Sequence, residues 1–199
     1  MKLANSNPAL RKALEALESV PIGQHQAKVE KLAELHSHSI QFVSYKPGDL
    51  TCAAYTLGLA YNRTYRSLAC WASRGEIDPS VLAGSAFMIW ILDACLLEIS
   101  EPRAGCLVCY FADGMWKRIG VISADRRVTS KWGTFPVYEH ALAEVQKSYG
   151  DEVRFFERPS PQDALALFLQ FASEKGVLPA DVEEARADCL DLWTDEALT

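Results

Sequence analysis

Six cysteines and four histidines are the residues of this 199-residue chain whose chemistry is weighed first. Cys52 has the most suggestive setting. It follows the turn-forming Tyr45-Lys46-Pro47-Gly48 and falls in the first turn of an expected helix, Asp49-Leu50-Thr51-Cys52-Ala53-Ala54-Tyr55-Thr56-Leu57-Gly58. A helix N-terminus carries unpaired N–H groups and partial positive charge, both of which favour a thiolate over a thiol. That is the setting of a nucleophile; against it stands the common use of cysteine as a small core residue. Cys106-Leu107-Val108-Cys109 has the spacing of a metal or redox pair, yet it lies in an apolar run that reads as a buried strand. Residues three apart on a strand point to opposite faces, so the pair is assigned to core packing. With no second pair at zinc-ribbon spacing and no His-Glu-x-x-His motif, neither a metal nor a cofactor is expected.

A nucleophile needs a base, and the fold must bring the two together. Leu10, Leu14, Leu17 and Val20 behind Pro8 predict a helix over 8–20, and Val29, Leu32 and Leu35 a second over 24–37. Ile40 to Tyr45 reads as a short extended segment. The Cys52 helix is expected to run to Tyr61 and to resume from Tyr65 to Ala72. Asp78-Pro79-Ser80 then starts an apolar helix from Val81 to Glu98. After it the period changes from helical to strand-like. Gly105–Ala112, Trp116–Ser123 and Arg127–Trp132 form an antiparallel meander, turning at Asp113-Gly114 and Ala124-Asp125-Arg126. Val137 to Lys147 is read as a helix and Val153 to Arg158 as a fourth strand. Ser160-Pro161 opens a helix to Lys175, and a last one follows Pro179. Helices, then an antiparallel sheet, then helices make an α+β chain.

Composition narrows the partners. The chain is 49% hydrophobic and 23% charged with a net charge of −6, which argues against nucleic acid or an anionic membrane surface. The apolar run Val81–Ile99 is interrupted by Gly84, Ser85, Asp93 and Glu98, too often to span a bilayer. No secretory signal opens the sequence, and six cysteines without one imply reduced thiols in the cytoplasm. Oligomeric state is not readable from these features.

Several short segments point further in combination. Pro102-Arg103-Ala104-Gly105-Cys106-Leu107-Val108 is a turn leading into an apolar strand, and Trp116-Lys117-Arg118-Ile119-Gly120-Val121-Ile122 is the strand after it. Thr129-Ser130-Lys131-Trp132-Gly133, Glu139-His140 and Tyr149-Gly150 follow in that order. With a cysteine opening a helix ahead of the sheet, residues 45–158 resemble the papain-like superfamily. The likeness is to its NlpC-type cysteine amidases and peptidases, and to a poorly characterised bacterial subset with Ser-Lys-x-Gly before a Glu-His pair. The resemblance implies a papain-like α+β fold, its sheet of roughly four to six strands packed against the Cys52 helix. It sets a helical extension over 1–44, a core over 45–158 and C-terminal helices over 159–199, in one compact domain.

The resemblance also implies a catalytic histidine on the second strand, where this chain has Arg118. Strand alternation places Arg118, Gly120 and Ile122 on one face, the face toward Cys52 in that fold. An arginine there holds a thiolate by charge. With a pKa above about 12 it cannot take or give a proton, and losing that role costs ~10²–10⁴-fold in rate. His140 is the candidate replacement base, oriented by Glu139 or Asp49; the other reading makes it a polar residue early in the 137–147 helix, or one that pins the loop from Gly133 to the sheet. His25, His36 and His38 lie in the N-terminal helical region, the last two at a solvated helix end. Ser130, Lys131 and Trp132, like Arg118, are candidates for substrate binding, or are ordinary sheet residues.

Two functional readings follow. The first is a papain-like cysteine hydrolase acting on a peptide or small-molecule amide, with Cys52 as nucleophile and His140 as base, impaired by Arg118. The second is a catalytically inactive papain-like fold, a pseudoenzyme that binds a protein or small ligand. A third, less specific, is an interaction protein in which Cys52 is core.

Overall fold

The structure, a computed structural model, describes residues 1–3, 6–45, 51–133 and 136–189. The Pro47-Gly48 turn and Asp49 of the cysteine motif lie outside them. The chain divides into two compact units, one of residues 1–52 and 97–158, the other of 53–96 and 159–199.

The first unit is built on a seven-stranded sheet. Its strands are β1 (Gln41–Ser44), β2 (Glu98–Ile99), β3 (Leu107–Ala112), β4 (Met115–Ile122), β5 (Val128–Lys131), β6 (Val137–His140) and β7 (Glu152–Phe156). They lie in the order β1-β6-β5-β4-β3-β7-β2, every neighbouring pair antiparallel. The expected meander is therefore present. Its first turn has positive φ at both Asp113 (52°) and Gly114 (75°), the conformation of a tight hairpin whose twist matches that of its strands. The register of β3 against β4 shifts between Tyr110 and Phe111, so Lys117 is an extra residue beside Arg118.

The helix read over Val137–Lys147 is not there. Val137 to His140 is strand β6, paired with β5 on one side and β1 on the other. Val137, Ala141 and Val145 are four apart and imitate a helical stripe. Covered on both faces, β6 lacks the polar alternation that marks a half-exposed strand. The segment after it stays irregular down to a 3₁₀ turn at Lys147–Tyr149.

The segment 1–44, set apart above as an extension, belongs to this unit. It supplies β1 and the helices α1 (Pro8–Glu15) and α2 (His25–Leu32). Asn7 caps α1 by accepting hydrogen bonds from the Ala9 and Leu10 N–H groups, and Pro8 fills the first helical position. Leu10, Leu14, Leu17 and Val29 pack with Val108, Tyr110, Ile122, Val128, Tyr138, Val153 and Phe155, all on one face of the sheet. Each such side chain contributes roughly 1.5–3 kcal/mol by leaving water. One member of the buried face of α1 is not apolar. Arg11, 3% exposed, donates to the carbonyls of Val145 (3.2 Å), Gln146 (3.3 Å) and Gly150 (2.5 Å), and to the Asp151 carboxylate. It pins the 145–151 loop, and so fixes Tyr149.

The second unit is helical. Its elements include α4 (Arg63–Arg74), α5 (Ser85–Ala94), α6 (Pro161–Glu174) and α7 (Pro179–Asp188). Aromatic edges build its core: Tyr65 against Phe168 at 4.9 Å, and Phe87 against Phe168 at 5.7 Å and Phe171 at 5.4 Å. The apolar helix expected from Val81 to Glu98 is shorter, because Gly84 delays its start and the chain turns at Cys95 toward β2. No described helix is long and apolar enough to cross a membrane.

Candidate functional site

Cys52 is the last residue of the first unit, 4% exposed, and opens helix α3 (Cys52–Thr56). The expected start is therefore correct, but the helix has five residues and does not reach Tyr61. Gly58, at φ 77°, ends it, and a 3₁₀ turn follows at Leu59–Tyr61. So short a helix has little macrodipole, which leaves neighbouring side chains as the main source of any charge at the sulfur.

Those neighbours include Arg118, Tyr149 and Cys109, each of which feels Cys52 electrostatically. Arg118 sits on β4 opposite Tyr110, beside the bulge. Its guanidinium lies 5.0 Å from the centre of the Tyr149 ring, in cation–π range. One hydrogen bond is well formed, from Nη1 to the Lys117 carbonyl at 3.1 Å. Its buried Nε finds no partner among the described residues. The Tyr149 hydroxyl, buried too, makes no hydrogen bond of good geometry among the described residues, yet it lies close enough to the Arg118 guanidinium for the two to stabilise one another. Burial works against the charge on Arg118, but the negative potential of Tyr149, Cys52 and Glu18 outweighs it and raises its pKa. Burial pushes the Tyr149 hydroxyl up, against the pull of Arg118, and pushes the Cys109 thiol up as well. Each of these three groups is thus held further from a proton exchange near neutrality than it would be in water.

His140 has a different place. It lies on β6 opposite Val128, fully buried, and its interactions do not include Cys52. Nδ1 is 2.9 Å from the Ala141 carbonyl oxygen, which can only accept, so Nδ1 carries the proton. Nε2 is then an acceptor, filled by the Ser130 hydroxyl at 2.8 Å. Ser130 Oγ in turn accepts from Trp132 Nε1 at 3.0 Å. This chain of donors and acceptors closes on itself with nothing left over. Burial drives the His140 pKa down to about 4. The carboxylates near it serve other groups. Glu139 pairs with Arg127 at 2.6 Å, and Glu144 accepts from the Ser39 N–H, the Ser39 hydroxyl and the Ala141 N–H.

Gly120 makes the network possible. A Cβ there would lie 2.6 Å from Val128 Cγ1, 2.9 Å from the Thr129 carbonyl and 3.0 Å from Ser130 Cβ, so only hydrogen lets β5 close onto β4 at this level. Lys131 points to the other face from Ser130 and donates to the Gly133 carbonyl at 2.6 Å. Two of the remaining histidines serve the N-terminal segment. His25 Nε2 meets the Val20 carbonyl at 3.0 Å, and His38 bridges the Val29 carbonyl and the Ile40 N–H instead of facing solvent.

The sequence candidates therefore fall into two sets. Cys52 and Arg118 come together; His140, Ser130 and Trp132 form a separate buried network; Lys131 lies on the opposite face of β5 from Ser130. Sequence reasoning overlooked Arg11 and Glu18 and gave Tyr149 no role. The order Tyr149-Gly150 was the available signal, since Gly150 at φ 89° packs its α-carbon against the Phe111 backbone and anchors the tyrosine beside it. Among the described residues no three His, Cys, Asp or Glu side chains gather at metal-binding range. No protein-family model, curated protein or solved structure matches the chain.

Proposed function

We propose that this chain is a papain-like domain that binds, rather than hydrolyses, a peptide or small amide-related ligand. Its site is the Cys52–Arg118–Tyr149 cluster. The observation that carries this reading is that Arg118 and Tyr149, both shifted away from neutrality, lie beside the Cys52 sulfur, while the candidate base His140 is engaged by Ser130 and the Ala141 carbonyl instead. Acyl transfer from an amide needs a group that first accepts the thiol proton and then delivers one to the leaving amine. Arg118 does neither. What it offers is a fixed cation, suited to a ligand carboxylate. The order of a cysteine at a helix start, a Gly-Cys-Leu-Val strand and an Arg-x-Gly strand supports the papain-like assignment.

The test uses a panel of N-acetyl peptides as free acids and as the corresponding amides, followed by calorimetry and by mass spectrometry over days. Free acids are expected to bind, the amides and the Arg118→Gln variant at least about tenfold more weakly, and no peptide is expected to be cleaved. Release of an amine that disappears in Cys52→Ala would overturn the proposal in favour of an impaired hydrolase. Arg118→His probes the papain-like assignment by itself: appearance of amide cleavage in that variant supports the alignment of β4 with the histidine-bearing strand.

A further inference from the structure

The C-terminal helix of the second unit is held by an unusual combination of contacts. On α4, Ser67, Cys70, Trp71 and Arg74 recur at helical spacing and face the end of α7. The Asp188 carboxylate accepts from Trp71 Nε1 at 3.0 Å and from Arg74 Nη1 at 2.6 Å. One residue on, the buried Cys189 thiol donates to the Ser67 carbonyl at 3.9 Å, one helical turn before Cys70 on the same face of α4, and the two thiols influence one another. Two thiols from helices far apart in sequence are thus neighbours. Cys70 is partly exposed, whereas Cys189 is fully buried. Apart from these contacts α7 buries little, with Ala185 its one buried side chain. The Arg74–Asp188 pair stands about half exposed.

We infer that Cys70 and Cys189 are a redox pair, and that a peroxide oxidant joins them in a disulfide that staples α7 to α4. The Cys70 sulfur, the accessible one, attacks one peroxide oxygen. The O–O bond breaks, water leaves, and Cys70 becomes a sulfenic acid. The Cys189 sulfur then attacks the Cys70 sulfur, the S–O bond breaks, and the departing hydroxide takes the Cys189 proton as a second water. Two thiols and one hydrogen peroxide give one disulfide and two waters, each sulfur losing one electron overall to the peroxide oxygens. The Arg74 guanidinium lies close to both sulfurs. Burial and the neighbouring Cys70 thiol push Cys189 up to about 11, which keeps it a thiol until Cys70 has been oxidised. The reduced α7, with so little buried, opens readily; the oxidised one is tethered.

The experiment treats the full chain with stoichiometric hydrogen peroxide under native conditions, blocks remaining thiols, and maps the peptides. A Cys70–Cys189 cross-linked peptide about 2 Da lighter than the two thiol peptides together is expected, reversed by dithiothreitol. Hydrogen exchange over 179–189 is expected to slow by about tenfold or more on oxidation. Cys70→Ser, at the partly exposed position, should abolish both effects while the variant stays folded; Cys95→Ser should change neither. Three results would overturn the inference: cross-links that involve Cys95 as often, a disulfide that forms only in denaturant, or a disulfide that leaves exchange over 179–189 unchanged.

Discussion

Two polar clusters are built into the same sheet, and they are opposites. Around His140 every donor meets an acceptor: Trp132 gives to Ser130, Ser130 to His140, and His140 to the Ala141 carbonyl. Around Arg118 the account does not close, since its Nε is buried without a partner among the described residues and the Tyr149 hydroxyl meets the guanidinium without a well-formed hydrogen bond. A saturated buried network rigidifies a fold and has nothing left to offer a ligand. Unmet buried groups cost stability and persist where something other than stability is served. That contrast supports the proposed reading, in which the histidine belongs to the scaffold and the arginine to the site, the reverse of what residue type alone suggests.

The contrast can be broken at four points. The largest effect is expected at Gly150, which positions Tyr149. A Cβ there would lie 1.9 Å from the Phe111 carbonyl oxygen at a φ of 89°, so Gly150→Ala should lose more than about 4 kcal/mol, measured by urea unfolding. Acid comes next. His140 binds its proton at about 4 in the folded chain against the ordinary 6.5, so below pH 6.5 the unfolded chain takes up the proton first. Its contribution is complete above pH 6.5 and is lost as pH falls from 6.5 to 4, of order 3 kcal/mol in all. In His140→Gln, stability should fall less steeply across that window; an identical slope would mean that the ring is charged in the fold. Ser130→Ala strands Trp132 Nε1 and His140 Nε2 together, and should cost about 2 kcal/mol or somewhat more. Arg118→Met removes a group whose hydrogen bonds are mostly unmade, and should change stability by no more than about 1 kcal/mol in either direction. Equal losses in these last two variants would erase the distinction between scaffold and site.

The meander was legible because its signals are local. Period-two runs flank Asp113-Gly114, and that dipeptide turns the chain wherever it is placed between them. Strand β6 was not legible. Its apolar residues have helical spacing, and its identity comes from pairing with β1 and β5, which are distant or separated by a loop. The cluster was half legible. Cys52 and Arg118 each stood out by position, whereas Tyr149 arrives from a loop held by Arg11. That arginine was hidden because it sits beside Leu10 at the edge of an apolar stripe, where a long polar side chain reads as solvated. The role of His140 depends on cross-strand register. Ser130 faces Tyr138, and Val128 faces His140, a detail that no spacing along the chain reports.

The most direct test is the protonation and tautomer of His140, read from the ring nitrogens by ¹⁵N nuclear magnetic resonance at pH 6. A neutral ring with its proton on Nδ1, unchanged after alkylation of Cys52, is the result expected of a scaffold histidine. An imidazolium at that pH, or a ring signal that moves when Cys52 is alkylated, would mean that the histidine partners the thiol. The separation of site from scaffold would then be wrong.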